Sequence, residues 1–134
     1  MANPKCVSAK CEIKDIFDND LKPAVLKQMK LTIQTAVDKN AGLEFKDSCK
    51  EGYVLTVKLL SLTVDDKDKP DGLEAKVSVV GVALGGTATG FNATGGSKVQ
   101  GINPKKMEEE AKFIVDDALG KLMSKQVIPQ MLKP

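Results

Sequence analysis

Apolar residues recur with two different periods along this chain, and each period predicts one kind of element. In residues 7–13 every second position is apolar and the positions between are polar, which predicts a strand with one solvated face. From about Leu21 to Lys39 the apolar residues instead recur at spacings of three and four, which predicts an amphipathic helix. Polar residues 18–20 supply candidate N-caps, and Gly42 is a natural stop after the helix.

The period of two returns in the middle of the chain. Leu43–Lys46 is predicted as a short strand, and residues 53–64 as a long one whose apolar phase slips near Leu59 and Leu60. Either a bulge or burial on both faces accounts for that slip. After the polar segment DDKDKPDG, alternation resumes from Leu73 to Gly81, so the two runs form an antiparallel hairpin. Residues 85–101, rich in Gly, Thr and Ala, predict a further strand with weakly specified register.

The last element is predicted as a helix. Asn103 caps it, Pro104 occupies its first position, and Pro129 ends it. Because both amphipathic helices must bury an apolar stripe, one face of a sheet is expected to cover them. We therefore predict a two-layer α+β sandwich in the order β-α-β-β-β-(β)-α, with a mostly antiparallel sheet and both helices on one face. Residues 1–134 are expected to form a single domain with short flexible ends.

Composition removes several kinds of chemistry from consideration. All 20 basic residues are Lys, and the chain has neither His nor Arg, so imidazole bases, His-ligated metals and guanidinium clamps are absent. A net charge of +2 and 4% aromatic residues do not suit nucleic-acid binding. No catalytic residue, cofactor or metal site is predicted, and the chain is expected not to be an enzyme. The alternative from another class is a small ligand carrier or enzyme that uses Lys, carboxylate or Cys chemistry.

Two segments resemble ligand loops but depart from the required spacing. In GFNATGGSK two residues separate the second glycine of a P-loop pattern from its lysine, and no helix is predicted to begin there. The acidic turn after residue 64 has Pro70 and Asp71 where a calcium loop needs a carboxylate and a glycine. A small-residue strand and a solvated hairpin turn are therefore the preferred interpretations.

The glycine-rich segment is the strongest candidate for an interaction site. Small side chains allow another backbone to approach closely, so this segment is either a mobile edge strand or an edge that accepts a partner's strand. The candidate partner edge consists of Gly85, Gly86, Thr87, Thr89, Gly90, Phe91, Gly95 and Gly96.

The three cysteines are an odd set, which argues against a fully paired disulfide framework. If residues 7–16 and 43–48 are parallel strands joined by the first helix, Cys6 and Cys49 lie roughly 30 Å apart at about 3.3 Å per residue. A disulfide tolerates only about 7 Å between Cα atoms, so these two should not pair. Cys11, on the apolar face, is expected to be buried and slow to react, and Cys6 to be the most accessible thiol.

Three segments of the chain resemble small bacterial envelope lipoproteins. They are CEIKDIFDND before the first helix, EGYVLTVKLLSLTVDD in the long strand, and the small-residue strand that leads into the last helix and VIPQML. The resemblance is to the lipopolysaccharide-transport lipoprotein and to domains of curli-secretion and penicillin-binding-protein-activator lipoproteins. It implies a non-catalytic binding or assembly module that acts through protein partners such as the envelope assembly machinery.

Two locations remain open from the sequence. The resemblance implies the periplasm or the periplasmic face of the outer membrane, and a cytoplasmic location is the alternative. No run of residues has the length and apolarity of a membrane span, and the first residues contain no apolar core of a signal peptide. Both a cytoplasmic protein and a mature envelope protein fit these observations, and the oligomeric state is open.

Overall fold

A computed structural model describes residues 3–85 and 90–133. The strands are β1 (Lys5–Ile13), β2 (Leu43–Phe45), β3 (Gly52–Val64), β4 (Gly72–Leu84) and β5 (Phe91–Gln100). The main helices are α1 (Lys22–Asp38) and α2 (Met107–Leu122), each preceded by one 3₁₀ turn, Asn19–Leu21 and Pro104–Lys106. A π-helical turn, Met123–Val127, then leads into the short helix α3 (Ile128–Met131).

The five strands form one curled, mixed sheet in the order β2-β1-β3-β4-β5. β1 runs parallel to both of its neighbours, whereas β3, β4 and β5 are antiparallel in sequence order. The register of β3 against β4 shifts between Leu59 and Ser61, so of the two explanations of the phase slip the bulge, at Leu60, is the one observed. Both main helices pack on one face of the sheet, and the predicted α+β class and element order are confirmed, including the optional strand.

The core lies between the helices and the face of the sheet that they cover. Alternate residues of β3 and β4 are fully buried there because these two strands are central in the sheet. The helices contribute their stripes at spacings of three and four, as the sequence predicts. The largest fully buried side chains in these four elements are Met29, Ile33, Leu55, Leu59, Leu62, Leu73, Ile114 and Leu119.

The connection from β2 to β3 crosses β1. The two strands lie on opposite sides of β1 and both run parallel to it, so the six residues between them must pass over one face of that strand. Cys6 alternates with buried Val7 and therefore points to the helix-free face, where it is bonded to Cys49. Ser8, the next residue on this face, is only 6% exposed, as expected under a crossing segment.

This crossing overturns our prediction about the thiols. Cys6 and Cys49 form a disulfide with their Cα atoms 5.8 Å apart, so Cys6 is not an accessible thiol. The parallel arrangement of β1 and β2, which was the condition of that prediction, is observed and coexists with the bond. The error was to extend the second strand to residue 48: β2 ends at Phe45, beside Val7, and the chain then returns toward the start of β1. Cys11 is the free cysteine and is half-buried.

Pro129 does not end the last helix, contrary to our prediction. A proline lacks an N–H, and its ring clashes with the carbonyl four residues earlier. The chain accommodates it by widening into the π-helical turn, in which the Ile128 N–H donates to the Met123 carbonyl, and helix α3 continues to Met131. The Lys5 ammonium then donates to the carbonyls of Met131 and Lys133, both at 2.9 Å, which ties the chain's end to β1.

Candidate functional site

The glycine-rich segment forms β5, the outermost strand on one side of the sheet. Phe91, Gly95 and Gly96 of the candidate partner edge lie within this strand, Gly90 directly precedes it, and Gly85 follows β4. The remaining members, Gly86, Thr87 and Thr89, lie outside the described residues. In the part of the chain that the structure describes, no further strand pairs with the outer side of β5.

Packing within the fold explains why three of these positions are glycine. A Cβ at Gly96 would lie 2.8 Å from the carbonyl oxygen of Ala75, and one at Gly90 would lie 2.5 Å from that of Gly81. Gly95 faces the helices, where a Cβ would already lie 3.4 Å from Leu122. Close packing of β5 on β4 and α2 therefore explains the small residues. What remains for a partner is the free edge of the strand.

The hydrogen bonds of β3 determine which backbone groups reach that edge. The Leu59 carbonyl accepts from Lys14, and the Leu62 N–H donates to Asp15, so on both sides of the bulge these residues direct their backbone groups toward β1. In an extended strand these groups alternate between the two sides. The neighbouring residues Lys58 and Ser61 consequently face β4, where they pair with the even-numbered residues Ser78 and Lys76.

The same alternation continues across β4 to β5. Odd-numbered residues of β4 direct their N–H and C=O groups toward β5, where they pair with odd-numbered residues. The even-numbered residues of β5 therefore present these groups outward, and their side chains are exposed: Asn92, Thr94, Gly96, Lys98 and Gln100. Four of these five were missing from the sequence-based site. The weak signal for them is the alternation of Phe91, Ala93 and Val99, which assigns the odd positions to the core.

A polar contact fixes the inner face of β5 to α2. The Ser97 hydroxyl donates to an oxygen of Asp117 at 2.6 Å, and the Lys121 ammonium lies 3.0 Å from the same oxygen. First Ser97 and then Lys121 lower the pKa of the Asp117 carboxyl below its ordinary value. This contact holds the strand in place while leaving its outer edge free.

None of the three largest surface grooves of the described residues provides the buried lysine that the enzyme alternative requires. The largest, of about 570 Å³, lies beside the disulfide and includes Lys5, Lys46, Lys50 and Glu51. One of about 500 Å³ lies between the helices and includes Gln28, Lys39 and Asp116. One of about 440 Å³ lies beside β5 and includes Leu60, Glu74, Lys76 and Lys98. All 20 lysines fall within the described residues, and each is exposed or half-buried. The enzyme alternative therefore finds no buried lysine among residues 3–85 and 90–133.

The remaining candidate groups have structural roles. Burial raises the pKa of the Cys11 thiol to about 11, partly offset by nearby Lys30, which disfavours the reactive thiolate. Asp65 and Asp66 accept hydrogen bonds from backbone N–H groups of their own hairpin turn, as expected for a solvated turn. Among the described residues, no cluster of three or more Cys, Asp or Glu side chains could hold a metal ion.

No helix within residues 3–85 and 90–133 is long and apolar enough to cross a lipid bilayer.

Comparison with known proteins gives similarity in structure alone. No protein-family model matches the chain, and no curated protein matches it in sequence. Hypothetical protein CT253 from Chlamydia trachomatis is similar at a TM-score of 0.70 and 8% identity, covering 96% of this chain and 98% of that one. PelC from Paraburkholderia phytofirmans, a dodecamer, is similar at a TM-score of 0.61 and 12% identity, covering 92% and 89%. Rare lipoprotein B from Shewanella oneidensis covers 94% and 96% at 14% identity, but its TM-score of 0.45 is too low to establish a shared fold.

Proposed function

We propose that this chain is a non-catalytic binding or assembly module of the bacterial cell envelope, acting through protein–protein contacts. The observation that carries the proposal is the outer edge of β5, whose even-numbered residues direct their backbone groups outward, where no strand of the described residues pairs with them. An extended segment of a partner can add to such an edge as a further strand, with main-chain hydrogen bonds supplying affinity. The partner-binding residues are then Asn92, Thr94, Gly96 and Lys98.

The disulfide supports the envelope location. Disulfides persist in oxidising compartments such as the periplasm and are rare in the cytosol of ordinary bacteria. The Cys6–Cys49 bond joins segments 43 residues apart and holds the crossing from β2 to β3 on β1. An assembly role is supported by PelC, because a protein of similar fold forms a dodecamer.

A comparison of two substitutions at Thr94 tests the proposal. Thr94→Pro removes one outward N–H, whereas Thr94→Ala removes the same side chain and keeps the backbone donor. Wild-type and variant proteins serve as bait in envelope and cytosolic extracts of the native bacterium. We expect an envelope protein that the wild type and Thr94→Ala retain and Thr94→Pro loses. Identical retention by all three baits would contradict a docking role for β5.

The location is tested separately by cell fractionation with thiol trapping. We expect the chain in the envelope fraction with Cys6 and Cys49 protected from alkylation until a reductant is added. Recovery in the cytosol with both thiols free would rule out the envelope assignment.

A further inference from the structure

β5 lacks the features by which edge strands usually avoid pairing. Natural edges are short, interrupted by bulges or proline, or guarded by several charges. β5 is ten residues long, keeps a regular register with β4, contains no proline and carries a single charge, that of Lys98. By contrast, β2 at the opposite edge is only three residues long. Within residues 3–85 and 90–133, the sheet therefore has one long edge with no strand paired to it.

We propose that the strand that pairs with β5 is β5 of a second copy of this chain. The two strands run antiparallel about a two-fold axis perpendicular to the sheet at Gly95, so that two five-stranded sheets join into one of ten strands. This inference rests on the docking edge of the proposed function and names its occupant. Such a dimer is isologous, the commonest symmetry of soluble oligomers.

The direction of the backbone groups restricts the register. A two-fold axis perpendicular to the sheet keeps the helix-covered faces on the same side, so that facing residues of the two copies share a face. Hydrogen-bonded pairs must then form between even-numbered residues, because only these direct N–H and C=O groups outward. With the axis at Gly95, Asn92 faces Lys98 and Thr94 faces Gly96. At two hydrogen bonds for each such pair, the segment 92–98 gives about eight.

Side-chain chemistry selects this register among its neighbours. On the helix-covered face Phe91 faces Val99, both half-buried in the single chain, and aromatic pairs with β-branched residues stabilise antiparallel strands. The two Gly95 residues form a non-hydrogen-bonded pair, the type with the shorter distance between Cα atoms, where larger side chains would crowd. Moving the axis one residue toward the C-terminus places Phe91 opposite Gly101 and loses the apolar pair. No like charges meet in the preferred register, since Lys98 faces Asn92.

Cysteine cross-linking between two different variants tests both the dimer and its register. Asn92→Cys and Lys98→Cys are each made with Cys11→Ser, which removes the free thiol and leaves the native disulfide. Facing residues of a hydrogen-bonded pair have Cα atoms about 5.5 Å apart, within the range of a disulfide. We expect an oxidised covalent dimer when the two variants are mixed.

Each variant alone is the matched control. Residue 92 of one copy faces residue 98 of the other, so the two residues 92 are offset by six residues along the strands. That offset is about 20 Å at about 3.3 Å per residue, so neither variant should cross-link with itself. A covalent dimer of Asn92→Cys alone would place the two residues 92 opposite each other, as in parallel strands or in an antiparallel register centred on residue 92, and would overturn the proposal. Absence of a cross-link in the mixture would overturn it as well.

Sedimentation of the full chain separates this inference from the proposed function. We expect a reversible dimer that Thr94→Pro weakens by about tenfold or more and that Thr94→Ala leaves nearly unchanged. Circular dichroism establishes that each variant is folded. A monomer at high micromolar concentration, or a dimer that Thr94→Pro does not weaken, would refute self-pairing. Selective loss of an envelope protein by the Thr94→Pro bait would still support a docking edge for a different partner.

Discussion

Removal of the Cys6–Cys49 disulfide is the sharpest test of how this fold is held together. The bond fixes a segment that crosses the helix-free face of β1, where no helix or strand of the described residues covers it. We consider the double variant Cys6→Ser/Cys49→Ser, which replaces both sulfurs by small polar groups. The fold should persist because the main core lies on the other face of the sheet and does not include either cysteine.

The size of the effect follows from the separation of the two cysteines. For a sequence separation of 43 residues, the loss of loop entropy in the unfolded chain corresponds to about 4 kcal/mol at 25 °C. Unfolding entropy of about 2.1 cal/mol/K per residue gives about 0.28 kcal/mol/K for this chain, so Tm should fall by about 14 °C. The released crossing segment should also expose Ser8.

Urea unfolding monitored by circular dichroism measures this difference. The oxidised wild type, the reduced wild type and the double variant are compared, with Cys11→Ser as a control for the free thiol. Reduction and double substitution should lower the unfolding free energy to a similar extent. The m-value should rise in both cases, because an unfolded chain without the cross-link exposes more surface.

A loss below about 1 kcal/mol would refute this reasoning, since the entropy of closing so long a loop predicts several times more. Hydrogen exchange of the amides in residues 46–51 gives an independent measurement. These amides should exchange faster after reduction while those of β3 and β4 remain protected. Uniform acceleration across the sheet would show that the bond supports the whole core rather than the crossing.

Three further predictions concern single residues. Because burial raises the pKa of the Cys11 thiol to about 11, native Cys11 should react with thiol reagents far more slowly at pH 7 than the urea-unfolded chain does, and equal rates would contradict its protected position. Gly52 has φ +96°, and a Cβ there would overlap a carbonyl oxygen of β1, so Gly52→Ala should lower the free energy of unfolding by more than about 2 kcal/mol in urea denaturation. Gly101→Ala, at φ +75° with open space around its Cβ, should lower it less. The reverse order would contradict the clash. Ser97→Ala removes the largest contribution to the lowered pKa of Asp117, so the free energy of unfolding should fall at neutral pH. This loss should diminish below pH about 4, because Asp117 then becomes protonated. A loss that does not depend on pH would contradict the contact.

Local sequence determined the elements of this protein and its fold class. Periods of two and of three to four residues specify strands and helices because they reflect which side chains of one element share a face. The bulge at Leu60 was readable as a slip in that phase. The caps at Asp18 and Asn103 were readable as well, since each side chain accepts a hydrogen bond from a backbone N–H two residues later. All of these features arise between residues close in sequence.

Tertiary structure alone decided the features that involve distant segments. The pairing of Cys6 with Cys49 depends on where β2 ends and on which face of β1 the following segment crosses, and neither is encoded in a local period. The candidate edge was likewise located by sequence at the glycines, whereas the outward backbone groups belong to the even-numbered residues of β5. That assignment follows from hydrogen bonds that begin between β1 and β3 and alternate across the sheet. Backbone donors and acceptors are the same in every residue, so only the arrangement of neighbouring strands determines which of them remain free for a partner.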